Sequence, residues 1–160
     1  AIRFARGVAF PEIKEDINLQ YGKGQILKEG SKDGNNAGGN VAIIAVGSMV
    51  EETYKAIDML EKENVHPAFV NPVFIKPMDT ELIKRVAENH KHIIVVEEGI
   101  KKGGFGESVE TFILESGIGA DVQVMAIDDR FVEQGNVALL REEIGISYKN
   151  IYEKVMELTR

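Results

Sequence analysis

The rhythm of apolar and polar positions changes at Val41. Val41-Ala42-Ile43-Ile44-Ala45-Val46 carries no polar residue, as expected of a strand buried on both faces. Gly47 turns the chain. Ser48 and Glu51 then have the spacing of an S-x-x-E capping box, so a helix is expected with Val50, Tyr54, Ile57 and Leu60 inside. A second strand is predicted at Ala68–Asn71, and Pro72 and Pro77 interrupt regular structure around Val73-Phe74-Ile75. Asp79 can cap a second helix whose apolar side holds Leu82, Ile83, Val86 and Ala87. Ile93–Val96 reads as a third strand, closed by Glu97-Glu98-Gly99. The Gly103–Gly106 loop then opens a helix with Val109, Phe112 and Ile113 inside. Val122–Ile127 is a further strand. Two short helices follow, one over Val137–Glu143 and one from Ser147 burying Ile151, Val155 and Leu158.

The first forty residues are less regular. Ala1–Phe4 reads as the end of a strand and residues 1–21 as the end of a preceding domain with its linker, so further chain is expected upstream. Gly24–Lys28 reads as a short strand, and Gly30–Asn40, rich in glycine and asparagine, as a mobile surface loop. Strands alternating with helices predict an α/β fold over residues 22–160: three layers, a mainly parallel five-stranded sheet and helices on both faces.

Composition narrows the function. The 160 residues carry a formal net charge of −7, which argues against a nucleic-acid partner. There is no cysteine, hence neither a disulfide framework nor thiolate chemistry. No apolar run is long enough to span a membrane, and no signal-peptide pattern opens the chain, so a cytoplasmic setting is expected.

Ligands of such sheets sit outside the carboxyl ends of the strands, where several polar groups fall. Gly103-Gly104-Phe105-Gly106 could offer backbone N–H groups to an anion, but it lacks the dinucleotide and Walker spacings, and close packing explains the glycines as well. Glu97 and Glu98, adjacent on a strand, should point to opposite faces and so cannot act as a carboxylate pair; one of them could pair with Lys101, Lys102 or Arg130. Ser48 follows a glycine at a strand end without the G-x-S-x-G elbow, so a cap explains it better than a nucleophile. His66, His90 and His92 lack metal-ligand spacing. Asp128-Asp129-Arg130 with Glu133 is either a salt-bridged turn or a contact with a neighbouring domain or subunit. Arg3 and Arg6 are ordinary surface charges unless a phosphate lies nearby.

Together these stretches resemble the deoxyxylulose-phosphate synthases of the transketolase family. Ala1-Ile2-Arg3-Phe4-Ala5-Arg6-Gly7 is similar to the A-x-R-Y-P-R-G segment that ends the family's pyrimidine-binding domain, with Phe4 for tyrosine and Ala5 for proline. Phe74-Ile75-Lys76-Pro77-Met78-Asp79 is similar to F-I-K-P-L-D. Val96-Glu97-Glu98-Gly99, the glycine loop and Asp129-Arg130-Phe131-Val132-Glu133-Gln134-Gly135 follow in family order. The resemblance implies a C-terminal domain, mainly structural and dimer-supporting, of an enzyme that condenses pyruvate with glyceraldehyde 3-phosphate and releases carbon dioxide. The product feeds isoprenoid, thiamine and pyridoxal synthesis. It implies thiamine diphosphate and magnesium, bound by an N-terminal remainder of the enzyme, which acts as a homodimer. The family's G-D-G…N-N metal signature is not in this chain; Asp33-Gly34-Asn35-Asn36 lacks the first glycine, and its asparagines follow at once. Arg6 matches the family arginine that lies near the substrate phosphate, and Arg3 is the second candidate. A transketolase half, a ketoacid dehydrogenase β subunit and a non-catalytic assembly or anion-binding module stay open as alternatives.

Overall fold

The structure, a computed structural model, describes residues 1–2, 19–31 and 38–159. Arg3, Arg6 and residues 32–37 of the glycine-asparagine loop lie outside the described residues.

The chain forms strands β1 (Gln25–Lys28), β2 (Val41–Ala45), β3 (Ala68–Asn71), β4 (His92–Ile100) and β5 (Asp121–Ile127), with helices α1 (Met49–Lys62), α2 (Thr80–Asn89), α3 (Phe105–Glu115), α4 (Val137–Glu143) and α5 (Tyr148–Leu158). The sheet order is β1-β3-β2-β4-β5. β2 pairs in parallel with β3 and β4, and β4 with β5; β1 is an antiparallel edge on β3. This is the expected five-stranded, mainly parallel sheet.

Period-two alternation divides the all-apolar β2 between two cores. Val41, Ile43 and Ala45 face α1 and α5, packing with Met49, Ala56, Leu60, Ile151 and Val155. Ala42 and Ile44 face α2 and α3, packing with Leu82, Ile83, Val86, Phe105, Val109 and Ile113. β4 alternates the same way, Ile94 and Val96 against Ile93 and Val95. α2 buries the expected set, and Asp79 caps it by accepting from the Leu82 N–H at 3.2 Å.

Three local expectations are corrected. The inner side of α1 is Met49, Glu52, Thr53, Ala56, Ile57 and Leu60, while Val50 and Tyr54 are only half-buried. The stripe is rotated because Glu52 finds internal partners and can be buried. Ser48 makes no side-chain cap on α1; its hydroxyl donates to Glu98 instead. Finally, β4 does not close at Glu97. A register shift between Val96 and Ile100 lets it rejoin β5 at Ile127, so residues 97–100 project past β2.

Candidate functional site

β2 leads through α1 to β3 on one side, whereas β4 leads through α3 to β5 on the other. The crevice between their carboxyl ends is therefore the position where open α/β sheets bind ligands. Glu97 and Glu98 stand at this point. The alternation of β4 carries through them: Glu97 continues the Ile93–Val95 face and Glu98 the Ile94–Val96 face.

Glu97 is buried, 7% exposed, against the start of α3. The Phe105 N–H donates to its Oε2 at 3.0 Å and the Gly106 N–H to its Oε1 at 2.8 Å. The helix N-terminus thus already holds an anion, supplied by the chain itself. The glycines are explained by the same contact. A Cβ at Gly104 would lie 2.5 Å from Glu97 Oε1 and 2.6 Å from the Ile100 carbonyl oxygen. The Gly103 N–H donates to Glu107 Oε2 at 2.5 Å. Three of the loop's N–H groups that might have met an external anion are taken.

Glu98 sits on the opposite face, as expected, but its partner is neither Lys101, Lys102 nor Arg130. Arg141, on α4, grips it with a fork: Nε donates to Oε1 at 3.0 Å and Nη2 to Oε2 at 2.9 Å. The Ser48 hydroxyl donates to Oε2 at 2.5 Å. Arg141 Nη1 also reaches Glu52 Oε1 at 3.4 Å, and the Tyr148 N–H donates to Glu52 Oε2 at 3.0 Å. Lys55 completes the network on Glu52 at 3.0 Å. Arg141 therefore ties β4 and α1 to α4, across separations of 43 and 89 residues, and Glu52 extends the network to the start of α5. Sequence reasoning singled out neither Arg141 nor Glu52. Nothing local marks them; only the network makes them important.

Burial works to raise the Glu98 carboxyl, but hydrogen bonds from Arg141 and Ser48 outweigh it and hold the group below the ordinary carboxylate range. A depressed folded pKa adds stability above the unfolded value and loses it as pH falls through the folded one. Glu98→Gln should therefore cost about 1–2 kcal/mol at neutral pH, discounted for the partial exposure of the pair. The gap between variant and wild type should hold above about pH 5, then shrink below the unfolded glutamate value of about 4.3. Urea midpoints from pH 7 to 3 check this; a gap that does not change with pH would refute it.

The other sequence candidates do not converge. His66 meets Asn64, His90 meets the Val86 carbonyl and His92 meets Asp121. Among the described residues no group of three or more histidine or acidic side chains could hold a metal. With the buried carboxylates engaged in capping and pairing, these residues do not fit a thiamine diphosphate–magnesium site. Asp128, Asp129, Arg130 and Glu133 are exposed, and among the described residues no ion pair joins them, so the salt-bridged turn is corrected. Two hollows, about 460 and 610 Å³, open at the opposite, amino end of the sheet, beside His66 and beside His90.

The profile of the family described as "Transketolase, C-terminal domain" matches residues 28–151. The chain belongs to this family. As a transketolase C-terminal domain it is 36% identical to a 1-deoxy-D-xylulose-5-phosphate synthase of Dehalococcoides mccartyi strain 195, over 99% of this chain and 24% of that protein. It is 36% identical to the synthase of Alkaliphilus oremlandii over 97% of this chain, and 37% to that of Brevibacillus brevis over 91%. The domain spans about a quarter of the length of these curated relatives. Among solved structures, a "Split gene transketolase, inactive beta4 tetramer" superposes with a TM-score of 0.78 at 28% identity, covering 92% of this chain and 46% of that one. No helix of the described residues is long and apolar enough to cross a membrane.

Proposed function

We propose that this chain is the C-terminal part of a 1-deoxy-D-xylulose-5-phosphate synthase, the enzyme that condenses pyruvate with glyceraldehyde 3-phosphate with loss of carbon dioxide, and that its own task is to support assembly. The observation that carries this is the extent of similarity to such synthases, which covers 99% of the chain. The chemistry of the engaged carboxylates agrees. Asp79 and Glu97 cap helices, and Glu52 and Glu98 hold Arg141, so these carboxylates serve the fold. Thiamine diphosphate and magnesium belong to the remainder of the enzyme in this proposal. Residues 1–21 then end the preceding domain, the whole is a cytoplasmic homodimer, and neither nucleic acid nor membrane is a partner.

The test is an assay for 1-deoxy-D-xylulose 5-phosphate from the two substrates, run with this chain alone and with the complete enzyme. Product from the complete enzyme only is expected; no product from pyruvate, but transfer of a two-carbon unit from a ketose phosphate to an aldose phosphate, would favour a transketolase, the alternative that the split-gene structure supports. In the same enzyme, Arg6→Ala should raise KM for glyceraldehyde 3-phosphate about tenfold or more, the loss of one charge-assisted contact to phosphate, and leave KM for pyruvate nearly unchanged. Equal effects on both substrates would remove Arg6 from the phosphate site, and Arg3→Ala would then be the next variant.

A further inference from the structure

Exposed apolar side chains are distributed unevenly over this domain. Ile75 follows β3, Ile100 ends β4, and Phe131, Val132, Val137 and Leu139 follow β5, all at the carboxyl rim of the sheet. Leu114, near the close of α3, lies at the amino end, and Ile2, Leu19 and Tyr21 are exposed ahead of β1. Every residue from Asp128 to Leu139 is exposed, and Phe131 is fully so. A solvated loop gains nothing from an outward phenylalanine, whereas aromatic anchors of this kind dominate protein interfaces.

We propose that this rim is the docking face for the thiamine-diphosphate-binding part of the enzyme, with Phe131 as its anchor. The inference rests on the functional proposal above. The relatives are about four times as long as this chain, so a large body of protein must lie against some face of it, and the rim is the apolar one. Charge selects the occupant. Asp128, Asp129 and Glu133 surround Phe131 with Arg130 as the lone cation in that run, which calls for a pocket with a basic border. A second copy of a domain with net charge −7 would bring acid to acid.

The experiment places the photo-cross-linking analogue p-benzoylphenylalanine at Phe131 of the complete enzyme, with the same group at Leu114 as control, and maps the products by mass spectrometry. Because this chain has no cysteine, Phe131→Cys and Leu114→Cys also report accessibility to a maleimide, located by peptide mapping. Cross-links from position 131 should fall on peptides outside these 160 residues, and the thiol at 131 should react roughly 100-fold more slowly than that at 114. Cross-links to another copy of this domain, or equal reactivity at both positions, would overturn the docking face. Neither readout needs turnover. A rim that cross-links as expected in an enzyme making no deoxyxylulose phosphate would keep the docking face and sink the assigned activity.

Discussion

Glu97→Ala should destabilise the chain by about 3–5 kcal/mol. Two N–H groups at the start of α3, those of Phe105 and Gly106, lose a buried charged acceptor. Hydrogen bonds to charged groups are each worth about 1.5–3 kcal/mol, and a buried donor left unpaired carries its own desolvation cost. The position is 7% exposed, so water can replace the carboxylate only in part. For a chain of this size the loss corresponds to a fall in Tm of roughly 10–15 °C. Glu97→Gln keeps one acceptor oxygen but turns an amide group toward an N–H, so an intermediate loss is expected. Formate, small enough to enter the vacated space, should recover part of the stability as its concentration rises. Calorimetry on the three proteins tests this, with hydrogen exchange at Phe105 and Gly106 as the local readout. A Glu97→Ala variant within about 1 kcal/mol of wild type would show that the carboxylate is not the cap.

This carboxylate also shows where the sequence stops being legible. That Glu97 and Glu98 face opposite ways follows from strand alternation alone, and the structure obeys it. What each side chain meets does not follow, because the partners are remote. Arg141 comes from a short helix 43 residues on, and no periodic rule connects it to β4. The same limit explains Ser48. Local spacing favoured a cap on α1, but the turn at Gly47, with φ +60, places the hydroxyl beside Glu98, a stronger acceptor than a backbone partner was a donor. It also explains α1, whose inner stripe contains Glu52 and Thr53. A pattern search assigns such residues to solvent, and only the non-local network makes Glu52 an interior residue. By contrast α2, whose buried set is wholly apolar and whose Asp79 cap is local, was legible residue by residue. The strand count was legible too, whereas the antiparallel direction of β1 was not, since four residues carry no mark of orientation.

The glycine loop offers a test in which two principles give opposite signs. Gly106 lies in the first turn of α3, and helix propensity alone says that Gly106→Ala should stabilise by up to about 1 kcal/mol. Packing says the reverse. A Cβ there would lie 2.4 Å from Val124 Cγ1 and 2.9 Å from Val124 Cγ2, with Glu97 Oε1 at 3.2 Å. Val124 is β-branched and sits on β5 in register with Val95 of β4, so its χ1 has little freedom to turn the methyl groups away. Overpacking of this kind costs about 1–3 kcal/mol, and displacing the Glu97 carboxylate from its two N–H donors adds to it. The net expectation for Gly106→Ala is a loss of about 2–3 kcal/mol, because the steric term exceeds the propensity term. Val124→Ala removes both clashing methyl groups. By itself it should destabilise by about 1–2 kcal/mol, as truncation of a half-buried side chain does. The pair Gly106→Ala, Val124→Ala should then lose less stability than the sum of the two single losses, by at least about 1 kcal/mol, a coupling that direct contact produces. Chemical denaturation of the four proteins in the cycle measures it. Strict additivity, or a stabilised Gly106→Ala, would mean that α3 can shift away from β5, and that the glycines serve the turn rather than the seat of Glu97.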